Sequence, residues 1–257
     1  MSLPSVRFRQ ILQASACAAI AAALLYGCQT HNPDALWKIV SESCVPANDA
    51  GKGPGKCSKV SPDGYVILKD INGKGQHLLM PTRRSSGVED VALRLPGQPN
   101  YWQYAWENRH YVSDTLGRPV PDDLISLALN SYYGRTQNQY HIHIDCMSRD
   151  MRQALAAHDK DAPGVWTRAT LAGHAYRLVR VQAADAASVD AYDLVVRQAN
   201  PAMQTMAGHT IFMARAPGGF YVVDGYFDPR GAEANPGSAE ELQDHSCKDV
   251  PQLPASR

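Results

Sequence analysis

Two periodicities alternate along the chain. Strict alternation of polar and apolar side chains marks a half-buried strand, and it is clearest from Asn138 to Cys146. Gln139, His141, His143 and Asp145 share one face there, and Tyr140, Ile142 and Ile144 share the other. Tyr65 to Asp70 and Gln76 to Met80 read as two further strands. Asn72-Gly73-Lys74-Gly75 between them is a strong hairpin connector, and Pro81 stops the return strand. Leu124 to Asn130 reads as a buried strand. Helical spacing places Leu36, Trp37, Ile39 and Val40 on one side of a short helix over 34–44. The same spacing predicts one helix over 100–116, with Trp102, Ala105, Trp106, Arg109, Tyr111 and Val112 facing inward. Residues 46–62, 85–98 and 131–137 read as loops.

Beyond residue 150 the pattern weakens. It predicts helices over 149–158 and 187–200. Thr210 to Arg215 and Phe220 to Asp224 form a hairpin around Pro217-Gly218-Gly219. Ser238 followed by Glu241 has capping-box spacing and predicts a short helix over 238–247. Antiparallel strand pairs flanking a helix indicate an α+β fold. No internal repeat shows at the level of sequence.

The first 28 residues stand apart. Arg7 and Arg9 precede an apolar run from Ile11 to Gly27, broken by Gln13 and Ser15. Basic followed by apolar is the layout of an export segment. A cleaved signal, an uncleaved anchor and a lipoprotein signal all fit it, the last because Leu25-Tyr26-Gly27-Cys28 resembles a lipobox. Each places the remainder, 29–257, outside the cytoplasm, and the two leading arginines agree. Cys44, Cys57, Cys146 and Cys247 then remain, an even number in an oxidising compartment. Of the three pairings, Cys44–Cys57 closes a short Gly/Pro/Lys-rich loop, which leaves Cys146–Cys247. No C-x-x-C spacing points to a structural metal.

Composition narrows the classes further. Apolar residues make up 44% and charged residues 19%, as in a globular domain. Lys+Arg and Asp+Glu both number 25, so no large positive field exists to hold nucleic acid.

The candidate chemistry lies on the strand with His141 and His143. The pair fits surface histidines, metal ligands or catalysts. An imidazole attacks phosphorus to form a phosphoramidate that water then hydrolyses, and a second imidazole serves the departing oxygen. Donors for phosphate oxygens cluster just upstream at Arg135, Thr136 and Gln137, and Asn130 ends the preceding strand. Arg83 and Arg84 are further candidate phosphate donors. Asp70, at a strand end, suits either a ribose-binding carboxylate or a turn residue bonding its own backbone.

Five ordered blocks, LWKIVSESC, GYVILKDINGKGQHLLMPTRR, GRPVPD, GRTQNQYHIHI and SAEELQDHSC, resemble the bacterial CDP-diacylglycerol pyrophosphatase family of the histidine-triad superfamily. The resemblance runs from about residue 35 to 150, resumes at the last block, and is loose over 155–235. It implies a histidine-triad-like antiparallel sheet with flanking helices, with a core of about 34–150 and an α+β extension of 151–257. It also implies hydrolysis of CDP-diacylglycerol to CMP and phosphatidate without a cofactor or metal; the alternatives are a histidine-triad hydrolase or transferase of another nucleotide and a non-catalytic nucleotide- or lipid-binding protein in which Gln139 marks lost chemistry. By position, His141 is the nucleophile, His143 stands near the bridging oxygen, and Asp70 binds the ribose. Gln139 occupies the place of the first triad histidine, and the family's upstream polar position falls on Gln76, not His77. The implied location is the periplasmic side of a bacterial inner membrane, with lipidation at Cys28 as the alternative anchor. Histidine-triad proteins are often dimers, and the long second half here is of a size to take the partner's place.

Overall fold

The computed structural model describes residues 32–199, 205–230 and 234–252. The proposed export segment, Arg7 and Cys28 included, lies outside them. No described helix is long and apolar enough to cross a membrane.

Among the described residues, nine strands form one antiparallel sheet. In chain order they are β1 (Lys59–Ser61), β2 (Tyr65–Lys69), β3 (His77–Pro81), β4 (Ile125–Leu129), β5 (Ile142–Cys146), β6 (Thr167–Leu171), β7 (His174–Gln182), β8 (His209–Ala216) and β9 (Gly219–Tyr226). Their spatial order is β1-β2-β3-β5-β4-β8-β9-β7-β6. From β2 onward this order reads the same from either end if each half is numbered separately. Hairpin β2–β3, a helical stretch and hairpin β4–β5 make the first half; hairpin β6–β7, the helix Ala191–Gln198 and hairpin β8–β9 make the second. The halves meet where β4 pairs antiparallel with β8, Leu127 opposite Met213. A repeat absent from the sequence is therefore present in the topology.

The local chemistry explains most of the elements. Gly73, at φ 68°, takes the left-handed conformation that the β2–β3 turn requires. Asn100 caps the helix Tyr101–Glu107 by accepting from the backbone of Trp102 and Gln103, both at 3.1 Å. The helix expected over 100–116 is two helices, Tyr101–Glu107 and His110–Leu116. The break falls at Asn108, whose side chain donates to the carbonyl of Tyr104 at 2.7 Å and to the Tyr65 hydroxyl at 3.0 Å. Such a side chain competes with the helical ladder. Gly117 ends the second helix in the left-handed region.

Other expectations need correction. The stretch expected as a loop over 46–62 contains helix to Asp49 and the edge strand β1. The first helix runs Ala35–Ile39, passes through a π-helical turn, Val40–Cys44, and resumes as Val45–Asp49. The helix expected over 238–247 is one short turn, Ala239–Leu242, and Ser238 forms no capping bond. Its hydroxyl instead donates to Oδ1 of Asn130 at 3.2 Å. Hairpin β6–β7 was not expected at all. It turns at Ala172 and Gly173, both at positive φ, and its edge strand alternates exposed with buried positions.

Apolar groups bury in three clusters. The largest, with Trp102, Ile142, Ile144, Leu127 and Phe220, fills the face under the helices Tyr101–Glu107 and Ala191–Gln198. Two smaller clusters share the opposite face, one around Phe212 and Val223 and one around Val66, Leu78 and Val40. Each fully buried large aliphatic side chain contributes roughly 1.5–3 kcal/mol. Both expected disulfides are present, Cys44–Cys57 and Cys146–Cys247. The first staples the amino-terminal helix to the segment leading into β1. The second ties the carboxyl-terminal segment to the end of β5.

Candidate active site

The site opens in the gap between the two smaller clusters. Cross-strand partners point to the same side of a sheet. His143 on β5 lies opposite Leu78 on β3 and Ala128 on β4, one from each cluster. Its strand neighbours Ile142 and Ile144 point into the large core, as the alternation requires. His141 and His143 are both buried, their rings edge to face with centroids 4.8 Å apart.

The two imidazoles have complementary hydrogen bonds. Nδ1 of His141 lies 2.5 Å from the backbone oxygen of Gln139. A carbonyl only accepts, so Nδ1 carries the proton and Nε2 presents a lone pair. The amide nitrogen of Gln76 stands 2.6 Å from Nδ1 of His143 and also reaches Oε1 of Glu240 and Oδ2 of Asp70. Two carboxylate contacts fix that atom as the donor. Nδ1 of His143 therefore accepts, and its proton sits on Nε2, which is buried and has no partner among the described residues. Burial pushes His141 below its ordinary value, against the Gln139 carbonyl and the Glu240 and Asp70 carboxylates, which act upward. Burial lowers His143 more strongly, with Glu240 opposing it.

The remaining expected residues divide into two groups. Asn130 is in the site: its amide donates to Oε2 of Glu240 at 3.0 Å and its oxygen accepts from the backbone of Glu240 at 3.2 Å. Asp70 is also there, half-buried, with Oδ2 on Gln76 at 3.3 Å. Its Oδ1 accepts from the backbone of Asn72 at 3.0 Å, which is the turn-residue role. Gln139 is fully buried, and its amide accepts from Ser85 and donates to the carbonyls of Pro81 and Arg83. It reaches His141 through its main chain, while its side chain holds the loop after β3. His77 turns away toward the carbonyl of Gly75.

The basic residues are engaged elsewhere. Arg135 forms a two-pronged ion pair with Glu89 at 2.5 and 2.7 Å. Arg83 pairs with Asp90 at 3.0 Å, and Arg84 with Asp34 at 2.6 Å. Gln137 accepts from the backbone of Leu36 at 3.1 Å, and Thr136 is exposed.

Two residues of the site were not anticipated as such. Glu240 and His245 reach it from the carboxyl-terminal segment, about a hundred positions beyond the histidine strand. Oε1 of Glu240 lies 3.4 Å from Nδ1 of His143 and 3.5 Å from Nε2 of His245. Nδ1 of His245 donates to Oδ2 of Asp145 at 2.7 Å. That bond raises His245 above its ordinary value, despite partial burial. Both residues lie in the block SAEELQDHSC, which stands out in the sequence, but nothing local in it points to β5. Among the described residues, Asp145, Cys146 and Cys247 form the one grouping of three potential metal ligands. Its two sulfurs are joined to each other in the disulfide.

An antiparallel α+β fold with two buried imidazoles backed by amides and carboxylates defines the equipment of a hydrolase. Residues 31–251 match the family model described as CDP-diacylglycerol pyrophosphatase. The CDP-diacylglycerol pyrophosphatase of Yersinia pestis is 37% identical over 238 residues, covering 91% of this chain and 92% of that protein. The chain belongs to the CDP-diacylglycerol pyrophosphatase family. The matched range includes 155–235, where the block resemblance is loose. Among solved structures, the yeast Ap4A phosphorylase Apa2 is similar at a TM-score of 0.42 and 14% identity, over 70% of this chain and 63% of that one.

Proposed function

We propose that this chain hydrolyses CDP-diacylglycerol to CMP and phosphatidate through a covalent histidine–CMP intermediate. The observation that supports it is the opposite hydrogen bonding of His141 and His143. Nε2 of His141 attacks the phosphorus of the CMP moiety, and the P–O bond to the phosphatidate phosphate breaks, its electron pair leaving with that oxygen. Nε2–H of His143 stabilises the leaving oxygen by hydrogen bonding. Water then attacks the same phosphorus and the N–P bond breaks. The electron pair returns to His141, the water hydrogen passes to solvent, and CMP departs. Gln76 holds Nδ1 of His143 and Asn130 holds Glu240 beside it, Asp70 accepts the ribose hydroxyls, and the reaction takes no metal or cofactor in this scheme. Arg135, Thr136 and Gln137 shape the loop beside the nucleophile.

The substrate is a lipid, so the export segment serves to hold the domain on the periplasmic face of a bacterial inner membrane, either as an uncleaved anchor or through Cys28. The test uses CDP-diacylglycerol labelled in the CMP phosphate. Purified wild-type protein releases labelled CMP, and acid-labile, base-stable label is trapped on the chain at short times. Absence of CMP release, or release with no label trapped on a rapidly quenched protein, overturns the corresponding part of the reading.

A further inference from the structure

Asp145, His245, Glu240 and His143 form a chain that alternates carboxylate and imidazole, with steps of 2.7, 3.5 and 3.4 Å. It starts at the buried carboxylate of Asp145, passes through His245, whose side chain is 40% exposed, and ends at the buried ring of His143. The carboxyl-terminal segment is tied down on both sides of this chain. Ala239 donates from its backbone to Thr210 at 2.7 Å, and Asp244 from its backbone to the carbonyl of Cys146 at 2.8 Å. The disulfide joins Cys146, next to Asp145, to Cys247, two residues past His245.

We propose that Glu240 and His245 are positioning residues of this site: the carboxyl-terminal segment sets a carboxylate and an imidazole behind Nδ1 of His143 and so controls how readily that ring takes up a proton. The inference rests on the reading of His143 as the donor to the leaving phosphate. The Glu240 carboxylate favours a charged His143 ring, and the His245 cation disfavours it. The other polar groups around the ring are Asp145 on its own strand, His141 just before that strand, Gln76 just before β3 with Asp70 behind it, and Gln243, whose amide meets the His143 carbonyl at 3.4 Å. Its cross-strand neighbours Leu78 and Ala128 carry no charge.

Opposite electrostatic actions separate this role from a structural one. The experiment titrates the His143 ring by nuclear magnetic resonance in the full chain and measures the pH profile of CMP release. Glu240→Gln should move the ring titration and the acidic limb of kcat/KM to lower pH, by about one unit or more. His245→Gln should move both to higher pH. Glu240→Asp keeps the carboxylate and should return the profile toward wild type. Asp145→Asn is the second route, since it removes the charge that holds His245 protonated and leaves the tail sequence intact; it should act like His245→Gln. Shifts in the same direction for Glu240→Gln and His245→Gln overturn the proposal, as does a loss of activity equal at every pH with the ring titration unmoved. If wild-type protein releases no CMP, the functional reading fails by itself, and the ring titrations still decide this inference.

Discussion

The side-chain amide of Gln76 donates to Nδ1 of His143 at 2.6 Å. With Nδ1 of His141 donating to the Gln139 carbonyl, two imidazoles two positions apart hold opposite tautomers. One offers a lone pair and the other a hydrogen.

The tautomers assign distinct losses to the two rings. His141→Ala should abolish turnover. His143→Ala should slow turnover by roughly 100-fold or more and still allow CMP to be captured on the chain. Rapid-quench trapping beside steady-state assays checks both, and near-normal turnover in His141→Ala contradicts the nucleophile.

Asp70 makes a turn bond to the backbone of Asn72 and also accepts from Gln76, the amide beside His143. Asp70→Ala should lower kcat/KM roughly 10- to 100-fold on CDP-diacylglycerol. On the 2′,3′-dideoxy analogue the loss should be much smaller, because the ribose contact is already missing. Equal losses on both substrates assign Asp70 to the turn alone.

The disulfides close loops of different length, with sequence separations of 13 and 101. Loop entropy makes Cys44–Cys57 worth roughly 3 kcal/mol and Cys146–Cys247 roughly 4–5 kcal/mol. Paired Cys→Ser variants followed by urea unfolding measure each. Removal of Cys146–Cys247 should also impair turnover under conditions where the chain stays folded, because it frees the segment that carries Glu240 and His245. Removal of Cys44–Cys57 should cost stability with little effect on kcat.

Folding stability should respond to acid in a defined direction. His77, His141 and His143 are held below the ordinary histidine value by burial. Below about pH 6.5 the unfolded chain takes up protons that these folded rings refuse, so stability falls as pH falls. His245 runs the other way, since its bond to Asp145 raises it. Its contribution is complete below about pH 6.5 and is lost as pH rises through its folded value. Urea midpoints from pH 5 to 9 should show both trends in wild type. Only the acid-side fall should remain in His245→Gln.

The export segment makes its own prediction. The membrane fraction should contain either protein beginning at Met1 or Ser2, or protein beginning at a lipid-modified Cys28. Intact mass decides between them, and recovery of the whole population as an unlipidated periplasmic form excludes both.

The sequence by itself determined the facing of the two histidines, although the regular strand expected over 138–146 begins only at Ile142 and His141 lies one residue before it. Alternation from Asn138 to Cys146 is a local property of the backbone, so His141 and His143 had to point together, away from Ile142 and Ile144. Asn72-Gly73 determined the first hairpin for the same reason: a turn with positive φ needs glycine at that point. The disulfide pairing followed from loop length and elimination. Tertiary structure alone decided what stands around the two rings. Asn130 and Gln76 could be singled out from the sequence, but their bonds to Glu240 and His143, and the arrival of Glu240 and His245 from the tail, depend on the order of a nine-stranded sheet that no local period encodes. The arginines read as phosphate donors are ion-paired, because each folds beside an acid distant in sequence or across a loop, as Arg135 does with Glu89. The doubled architecture was invisible for a related reason. Strand order is preserved by burying an apolar face in each half, and many different apolar residues satisfy that requirement equally well.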